Sequence, residues 1–217
     1  MKNKQFTQQE SDLLASIMQS RRDVRGNHFI DKPLEDTVIN QILNAAQLAP
    51  SVGFSQPWEF VLIQDQSTKD QVVESFNQEN QKAQRQFEAQ QQSKYTKLKL
   101  EGIKESALNI AVFYSPSNEP VLGQTSMPEM GKYSVVCAIQ NMWLMARSLN
   151  VGMGWVSILN PQTVKSLLNA PDHLELVAYL CVGYVDEFLE KPELEQLNWK
   201  TRKDIEGLIR FECFDDV

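Results

Sequence analysis

The sequence is poor in residues that bind metals or form disulfides. It has two histidines, His28 and His173, and three cysteines in 217 residues. Two histidines so far apart are too few for a histidine-based metal site, so we expect no metal. There is no CxxC pair, and Cys137 and Cys181 lie in apolar runs. We therefore expect the cysteines to be ordinary buried thiols in a reducing compartment.

Basic residues are in the minority, since 21 lysines and arginines face 28 aspartates and glutamates, giving a net charge of −7. This balance argues against a nucleic-acid-binding protein that uses a broad basic face. No apolar run approaches the roughly 20 residues of a membrane span, and the first residues lack the apolar core of a signal peptide. We therefore expect a cytoplasmic protein that binds neither nucleic acid nor membrane.

The motifs of several common active sites are also missing. The sequence contains no P-loop and no GxGxxG after a strand, which weakens the nucleoside-triphosphate and dinucleotide interpretations. Both histidines lie in polar, turn-like segments, which does not fit a nucleophile–histidine pair.

Apolar periodicity predicts a single α+β domain over residues 1–217, with a central sheet flanked by helices. Two segments differ from the rest. Residues 78–100 are rich in Gln, Lys and Glu and predict a solvated helical flap, whereas residues 187–217 are polar and turn-rich and predict an arm crossing the surface or a partner subunit. Strands are predicted at 58–64 and 108–115, in "GMGWVSIL", and at 174–186, where nearly every position is apolar and both faces should be covered.

Particular residues predict where two helices begin. Thr7 and Glu10 have the spacing of a capping box, which should start a helix that ends near Arg21. Ser67 with Asp70 is expected to start a second capped helix that runs through Phe76.

A helix predicted from Val135 to Leu149 is apolar nearly all the way round. A helix with so little polar surface must be covered on most sides. It is either a central core helix or part of an extensive dimer interface, and the two interpretations are compatible.

One basic cluster stands out against the acidic background. The stretch "SRRDVR" places three arginines and Asp23 within six positions. Planar guanidiniums bind phosphate oxygens through paired hydrogen bonds, so the cluster suits a phosphate monoester. The alternative is a solvated basic patch with surface ion pairs, and these residues alone do not decide between the two.

Two further stretches offer hydrogen-bond donors on constrained backbone. In "APSVGFSQPW", Ser51 and Gly53 lie on a loop held between prolines, which can contact the rim of a flat heteroaromatic ring. The alternative is an ordinary helix-to-strand turn. In "VGMGWVS", two glycines permit close approach of the backbone to a flat group, and Ser157 follows Trp155. The alternative there is a buried strand edge with a packed tryptophan.

Together these stretches resemble, in order and spacing, the nitroreductase-like flavoprotein superfamily. The resemblance is closer to one branch, the oxygen-dependent 5,6-dimethylbenzimidazole synthases, also called flavin destructases. That branch carries an aspartate directly after the double arginine, as here at Asp23. The likeness extends over residues 21–202 and includes "PSVGF", "KLEGI", "YSVVCAIQNMWL", "GWVSI" and "PELEQLNWKTR".

The resemblance implies a nitroreductase-like fold with a central mixed or antiparallel sheet, and a homodimer whose C-terminal arm crosses the partner. It implies that Asp23 lies beside the ribityl chain of flavin mononucleotide (FMN) as an acid/base group. Ser157 would face the isoalloxazine near the place where oxygen reacts. The guanidiniums implied at the phosphate and neighbouring groups are Arg21, Arg22 and Arg25, with Arg202 reaching in from the arm. The remaining implied flavin contacts are Val24, Ser51, Gly53 and Leu100.

The reaction of this branch consumes its flavin. Reduced FMN and dioxygen yield 5,6-dimethylbenzimidazole, the lower ligand of cobalamin, and erythrose 4-phosphate is released. A separate flavin reductase, or NAD(P)H used directly, would supply the reducing equivalents. Because Asp23 stands beside guanidiniums, we expect its carboxylate to stay ionised, which suits a base.

Two alternative functions are compatible with these residues. One is a conventional NAD(P)H-dependent FMN nitroreductase that keeps its cofactor. The other is a non-catalytic flavin-binding module.

Overall fold

A four-stranded antiparallel sheet forms the centre of the molecule. The computed structural model describes residues 3–214, except for the side chains of Ala89 and Gln90, so the two ends of the predicted 1–217 domain lie outside the described residues. The strands are β1 (Trp58–Ile63), β2 (Leu108–Tyr114), β3 (Val151–Val156) and β4 (Glu175–Tyr184). Their order in the sheet is β1-β2-β4-β3.

The two central strands carry a hydrophobic core on each face of the sheet. Successive side chains of a strand point to opposite faces. Ile110 of β2 and Leu180 of β4 accordingly belong to one core, and Ala111 and Tyr179 belong to the other. Every residue of β2 is buried, as is β4 from 178 to 183. The prediction that the 174–186 strand is covered on both faces is confirmed.

Helices cover both faces of the sheet. The second and fifth helices pack on one face, and the third and sixth pack on the other. The helices are α1 (Gln8–Ser20), α2 (Asp36–Gln47), α3 (Gln66–Gln84), α4 (Ala89–Tyr95), α5 (Met130–Ser148), α6 (Pro161–Leu167) and α7 (Glu193–Gln196). Short 3-10 turns lie at Gly26–His28, Val52–Phe54 and Glu206–Leu208.

The start of α1 follows the sequence prediction and that of α3 does not. The Glu10 backbone N–H donates to the Thr7 hydroxyl at 3.3 Å, and the Thr7 N–H donates to the Glu10 carboxylate at 2.8 Å, which confirms the capping box. In α3 the cap is Asp65, which accepts from the Thr68 N–H at 2.8 Å. Asp70 lies inside the helix and pairs with Lys104 instead.

Helix α3 also continues well past Phe76, to Gln84. The added residues are mostly Gln, Glu, Lys and Asn without Gly or Pro, and several of these types favour helix even in solvent. With α4, this segment forms the helical part of the predicted flap. The aromatic rings of Phe87 and Tyr95 in the flap contact Trp199 of the C-terminal arm, with centroid distances of 5.4 and 6.4 Å.

Helix α5 buries one face and exposes another. Val135, Ile139 and Met142 are fully buried in the core, which confirms the core-helix interpretation. Tyr133 and Val136 are exposed on the opposite face.

The three cysteines do not share one environment. Cys181 is buried, and burial raises the pKa of its thiol to about 12, so it is inert. Cys137 and Cys213 are exposed, so the expectation of buried thiols is wrong for them. The apolar run around Cys137 does not bury it because α5 turns that position away from the core. Over residues 3–214, no helix has the combination of length and hydropathy needed to cross a bilayer.

Candidate functional site

A cavity of about 700 Å³ lies between the end of α1 and the C-terminal arm. This volume is within the range of small-molecule binding sites. Its walls are formed by Met18, Gln19, Arg21, Arg22, Asp23, Arg25, the segment 190–195 and Arg202. The structure therefore brings Arg202 to the "SRRDVR" cluster, from a position far along the chain.

Positive charge dominates the side of the cavity formed by the "SRRDVR" segment. Arg21, Arg22 and Arg25 of this segment line the cavity together with Arg202, and one carboxylate, Asp23, lies among them. The arm contributes Lys191 and the carboxylates of Glu190, Glu193 and Glu195. Because the whole chain carries a net charge of −7, this concentration of guanidiniums is a local feature that favours a small anion.

Asp23 is held in place by the edge strand β3. The Val24 N–H donates to the Met153 carbonyl at 3.0 Å, so residues 23–24 run alongside the strand. The Asp23 carboxylate accepts a hydrogen bond of 3.0 Å from the Trp155 N–H. A methyl group at Gly154 would lie 2.1 Å from the Val24 carbonyl oxygen. The second glycine of "VGMGWVS" therefore allows close approach of the protein's own backbone, which favours the strand-edge interpretation of that stretch.

The Asp23 carboxylate also forms an ion pair with the Arg25 guanidinium. Burial raises the pKa of Asp23 above its ordinary value, and the Arg25 charge, the Trp155 N–H and the Arg21 charge oppose this rise. About 35% of the side chain remains accessible, on the cavity side. The expectation that Asp23 stays ionised considered only the neighbouring guanidiniums. Burial is the larger effect, and it brings the carboxylate closer to the pKa of a useful proton acceptor.

Arg25 is largely buried, with 13% of its side chain exposed. Besides pairing with Asp23, it donates to the Leu100 carbonyl at 3.1 Å. The following Gly26 N–H donates to the Glu101 carbonyl at 2.9 Å. Leu100 therefore contacts the cluster through its backbone, and the "KLEGI" segment supports Arg25 from behind.

Arg22 is occupied by backbone carbonyls. Its guanidinium donates to the carbonyls of Gln19 and Arg21 at 2.8 and 2.7 Å, to that of Leu189 at 2.8 Å, and to that of Glu190. Burial lowers the pKa of Arg22, as do the nearby cations Arg21, Arg202 and Arg147. Most of its five N–H groups are thus engaged within the chain.

Arg21 and Arg202 differ from Arg22 and Arg25 in how far their guanidinium N–H groups are engaged within the chain. In the described part of the chain, the side-chain hydrogen bonds of the four guanidiniums are all donated by Arg22 and Arg25. The Arg21 guanidinium lies over the Trp143 ring, 4.9 Å from its centroid. Its N–H edges and those of Arg202 are available to a ligand in the cavity.

Ser51 and Gly53 lie elsewhere. The Ser51 hydroxyl accepts from the Gln56 N–H at 3.1 Å, and the Val52 N–H donates to Ser134 of α5 at 3.0 Å. Trp143 lies nine residues after Ser134 in α5, and its indole N–H donates to the Arg22 carbonyl at 3.1 Å. Nine residues are two and a half turns, so these contacts lie about 13 Å apart along the helix and on opposite sides of it. A single chain does not bring the 51–56 loop to the arginine cluster.

Gly53 is required by its own surroundings. Its φ of +56° is in the left-handed region, and a methyl group there would lie 2.8 Å from the Leu122 carbonyl oxygen.

Ser157 directly follows the end of β3 and is exposed, two residues beyond Trp155.

Sequence reasoning did not place Glu190, Lys191 or the Trp155 N–H in the site, and it marked residues 192–195 only as part of the "PELEQLNWKTR" motif. An arm with little apolar periodicity can follow many paths, and a backbone donor has no sequence signature. Trp143 lies in the "YSVVCAIQNMWL" motif, which did mark it as part of a characteristic segment. Among residues 3–214, no group of three His, Cys, Asp or Glu side chains is arranged to hold a metal ion.

Similarity to known proteins identifies the family of this chain. The model described as "Nitroreductase family" matches residues 18–184. This chain belongs to the nitroreductase family. Within the family, it is 43% identical over 194 residues to 5,6-dimethylbenzimidazole synthase of Rhodospirillum rubrum, covering 88% of this chain and 91% of that protein. It is 36% identical to the synthase of Rhodobacter capsulatus, covering 90% and 94%. The predicted resemblance to the synthase branch is confirmed, and these relatives are enzymes.

Solved structures confirm the predicted nitroreductase-like fold. Iodotyrosine deiodinase, solved with FMN and 3-iodo-L-tyrosine, superposes with a TM-score of 0.73 at 21% identity, covering 93% of this nitroreductase-family chain and all of the other. Nitroreductase A of Vibrio parahaemolyticus gives a TM-score of 0.68 at 18% identity, covering 94% and 78%.

Proposed function

We propose that this protein converts reduced FMN and dioxygen to 5,6-dimethylbenzimidazole and erythrose 4-phosphate, with the pyrimidine ring of the flavin leaving as a third product that carries the added oxygen. The observation that carries the proposal is the position of Asp23, a carboxylate with a raised pKa, beside the available guanidiniums of Arg21 and Arg202 in one cavity. The names of the relatives at 43% and 36% identity support it. The product is the lower ligand of cobalamin, and a cytoplasmic location remains a prediction.

The cavity suits FMN in size and charge. Its volume of about 700 Å³ is adequate for a ligand of this size, and its guanidiniums match a phosphate monoester. Arg21 and Arg202 bind the phosphate in this proposal. Arg25 holds Asp23, and the backbone around Val24 forms the floor beside the ribityl chain.

Asp23 acts as the acid/base group. Reduced FMN supplies the electrons that dioxygen accepts. Cleavage of the ribityl chain needs a base that removes a proton from a hydroxyl group, and Asp23 is directed toward the cavity by two fixed contacts. Its raised pKa makes the ionised form a stronger proton acceptor than an exposed aspartate.

A second copy of the chain completes the site in this proposal. Ser51 and Gly53 lie on the far side of α5 from Arg21, so their contacts with the same flavin require a partner subunit. Exposed apolar side chains on three segments support a homodimer. They are Leu13, Leu14 and Met18 of α1, Tyr133 and Val136 of α5, and Ile205, Leu208, Ile209, Phe211 and Phe214 of the arm.

Ser157 completes the proposed catalytic set. It lies two residues beyond the N–H that binds Asp23, which is about 7 Å of extended chain. In this proposal the exposed Ser157 side chain faces the flavin ring.

The product assay tests this function. Protein is mixed with photochemically reduced FMN and air, and 5,6-dimethylbenzimidazole and erythrose 4-phosphate are measured by mass spectrometry. Both products are expected in equal amounts. A conventional nitroreductase predicts intact flavin together with NAD(P)H-dependent reduction of an added nitroaromatic. A non-catalytic module predicts intact flavin after repeated reduction and aeration.

The source of reducing equivalents is tested in the same assay. Oxidised FMN with NAD(P)H alone gives product if the protein uses the nicotinamide directly. If product forms only after a flavin reductase is added, the reduced flavin comes from a separate enzyme.

A further inference from the structure

The C-terminal arm forms one wall of the cavity without a hydrophobic core of its own. Residues 190–195 and Arg202 line the cavity, yet no residue from 187 to 214 is buried. The arm also brings Arg202 close to other cations, and their mutual repulsion opposes its placement. The arm must therefore be attached at particular points.

The first attachment is Arg22. Its Nη1 donates to the carbonyls of Gln19 and Arg21 at the end of α1, and its Nε and Nη2 donate to the carbonyls of Leu189 and Glu190 in the arm. A guanidinium presents these donors in a rigid plane, so this side chain fixes the start of the arm relative to α1. A lysine has the same charge but cannot reproduce that geometry.

The second attachment is Trp199, three residues before Arg202. Its ring makes an edge-to-face contact with Phe87 at 5.4 Å and lies 6.4 Å from the Tyr95 ring. Tyr95 is buried and donates from its hydroxyl to Asn80 at 2.6 Å. The Trp199 backbone N–H donates to the Leu194 carbonyl at 2.8 Å, and Leu194 lines the cavity, so this bond connects the aromatic contact to the cavity wall.

We propose that Arg22 and Trp199 are positioning residues that hold the arm, and with it Arg202, against the cavity. Arg22 is then not a ligand of the phosphate, although it stands next to Arg21 in the sequence. This inference rests on the proposed function, since FMN is taken as the ligand whose phosphate Arg202 binds.

A double-mutant cycle for FMN binding separates the two roles of Arg22. Affinities for FMN are measured by flavin fluorescence, with riboflavin as the ligand that lacks the phosphate. Arg202→Ala and Arg22→Gln are each expected to weaken FMN binding by about tenfold or more, and riboflavin binding much less. In the Arg202→Ala background, Arg22→Gln should cause little further loss. An equal loss in both backgrounds overturns the proposal, as does an Arg202→Ala variant with unchanged FMN affinity.

The conservative variant tests charge against geometry. Arg22→Lys should weaken FMN binding about as much as Arg22→Gln, because the bonds to the arm carbonyls are lost in both. Full affinity in Arg22→Lys would show that charge alone suffices and would overturn the positioning role.

Trp199→Ala removes the other attachment, and Trp199 itself does not line the cavity. This variant should bind FMN more weakly than the unmodified protein, but should cause little further loss in the Arg202→Ala background. Trp199→Phe should retain most of the FMN affinity. Unchanged affinity in Trp199→Ala overturns its role.

Limited trypsin cleavage after Lys200 and Arg202 provides a readout that needs no flavin. It should be faster in Arg22→Gln and Trp199→Ala than in the unmodified chain, and equal rates would contradict the attachment. Because neither binding nor cleavage measures product, these results remain distinct from a failure of the proposed reaction.

Discussion

The Trp155 backbone N–H donates a 3.0 Å hydrogen bond to the Asp23 carboxylate, across 132 positions of the chain. This contact makes the edge strand β3 the support of the proposed acid/base group. Arg25 binds the other carboxylate oxygen, so Asp23 is oriented from two sides. The position of Asp23 is therefore set by the fold, and its chemistry by burial and a paired cation.

Replacing Asp23 with asparagine separates binding from chemistry. The side-chain amide carbonyl of Asp23→Asn can still accept from the Trp155 N–H, so this variant should bind FMN within a few-fold of the unmodified protein. Formation of 5,6-dimethylbenzimidazole should fall by about 10²- to 10⁴-fold, because the proton acceptor is lost. Asp186→Asn, at an exposed carboxylate paired with His28, is the matched control. Normal product formation by Asp23→Asn would remove this residue from the mechanism.

The pH dependence of product formation should report the pKa of Asp23, which burial raises and the Arg25 charge lowers. As base, Asp23 must be ionised, so activity should fall as the pH is lowered through its raised pKa. The Arg25 charge opposes the rise in pKa, so Arg25→Gln should move the acid limb of the pH–rate profile to higher pH. Arg25→Lys, which keeps the charge, should move it less. An acid limb that moves to lower pH in Arg25→Gln would contradict the assignment.

Gly154 tests whether β3 must lie against residues 23–24. A methyl group there would meet the Val24 carbonyl oxygen at 2.1 Å, so Gly154→Ala must push the two segments apart. We expect a loss of about 1–3 kcal/mol in stability, visible as a lower Tm, and a loss of activity. Gly207→Ala is the control, because nothing lies within 4 Å of the added group. Equal melting temperatures for the two variants would contradict the packing described.

Ser157 is expected to affect how much dioxygen is consumed for each product formed, and to have little effect on stability. Its side chain is exposed, so Ser157→Ala should keep its Tm. It should consume more dioxygen for each 5,6-dimethylbenzimidazole formed, with a smaller loss of product than Asp23→Asn. An oxygen electrode combined with product analysis measures this ratio. Unchanged coupling of oxygen to product would show that Ser157 has no part in the reaction.

Much of the fold could be predicted because local patterns decide it. The Thr7–Glu10 capping box and the apolar strand at 174–186 needed no long-range information. The cap of α3 was misassigned because Asp65, Ser67 and Asp70 all have capping chemistry within six positions. Cys137 was misjudged because an apolar run does not say which face of a helix meets the core.

The site was predictable where side-chain chemistry alone is distinctive. The guanidinium cluster and Asp23 were found in this way, and the family resemblance added Arg202. The separate role of Arg22 could not be found, since it depends on carbonyls of Leu189 and Glu190 more than 160 residues away. The raised pKa of Asp23 depends on burial, and burial could not be predicted from the polar residues that surround Asp23 in the sequence.

A crystal structure of the protein with FMN tests the central claim most directly. We predict phosphate oxygens at about 2.7–3.2 Å from the guanidiniums of Arg21 and Arg202, a ribityl chain beside Asp23, and a flavin ring that meets the 51–53 loop of a second copy. A phosphate bound outside the cavity formed by residues 21–25 and Arg202 would contradict the proposed site and the reaction derived from it.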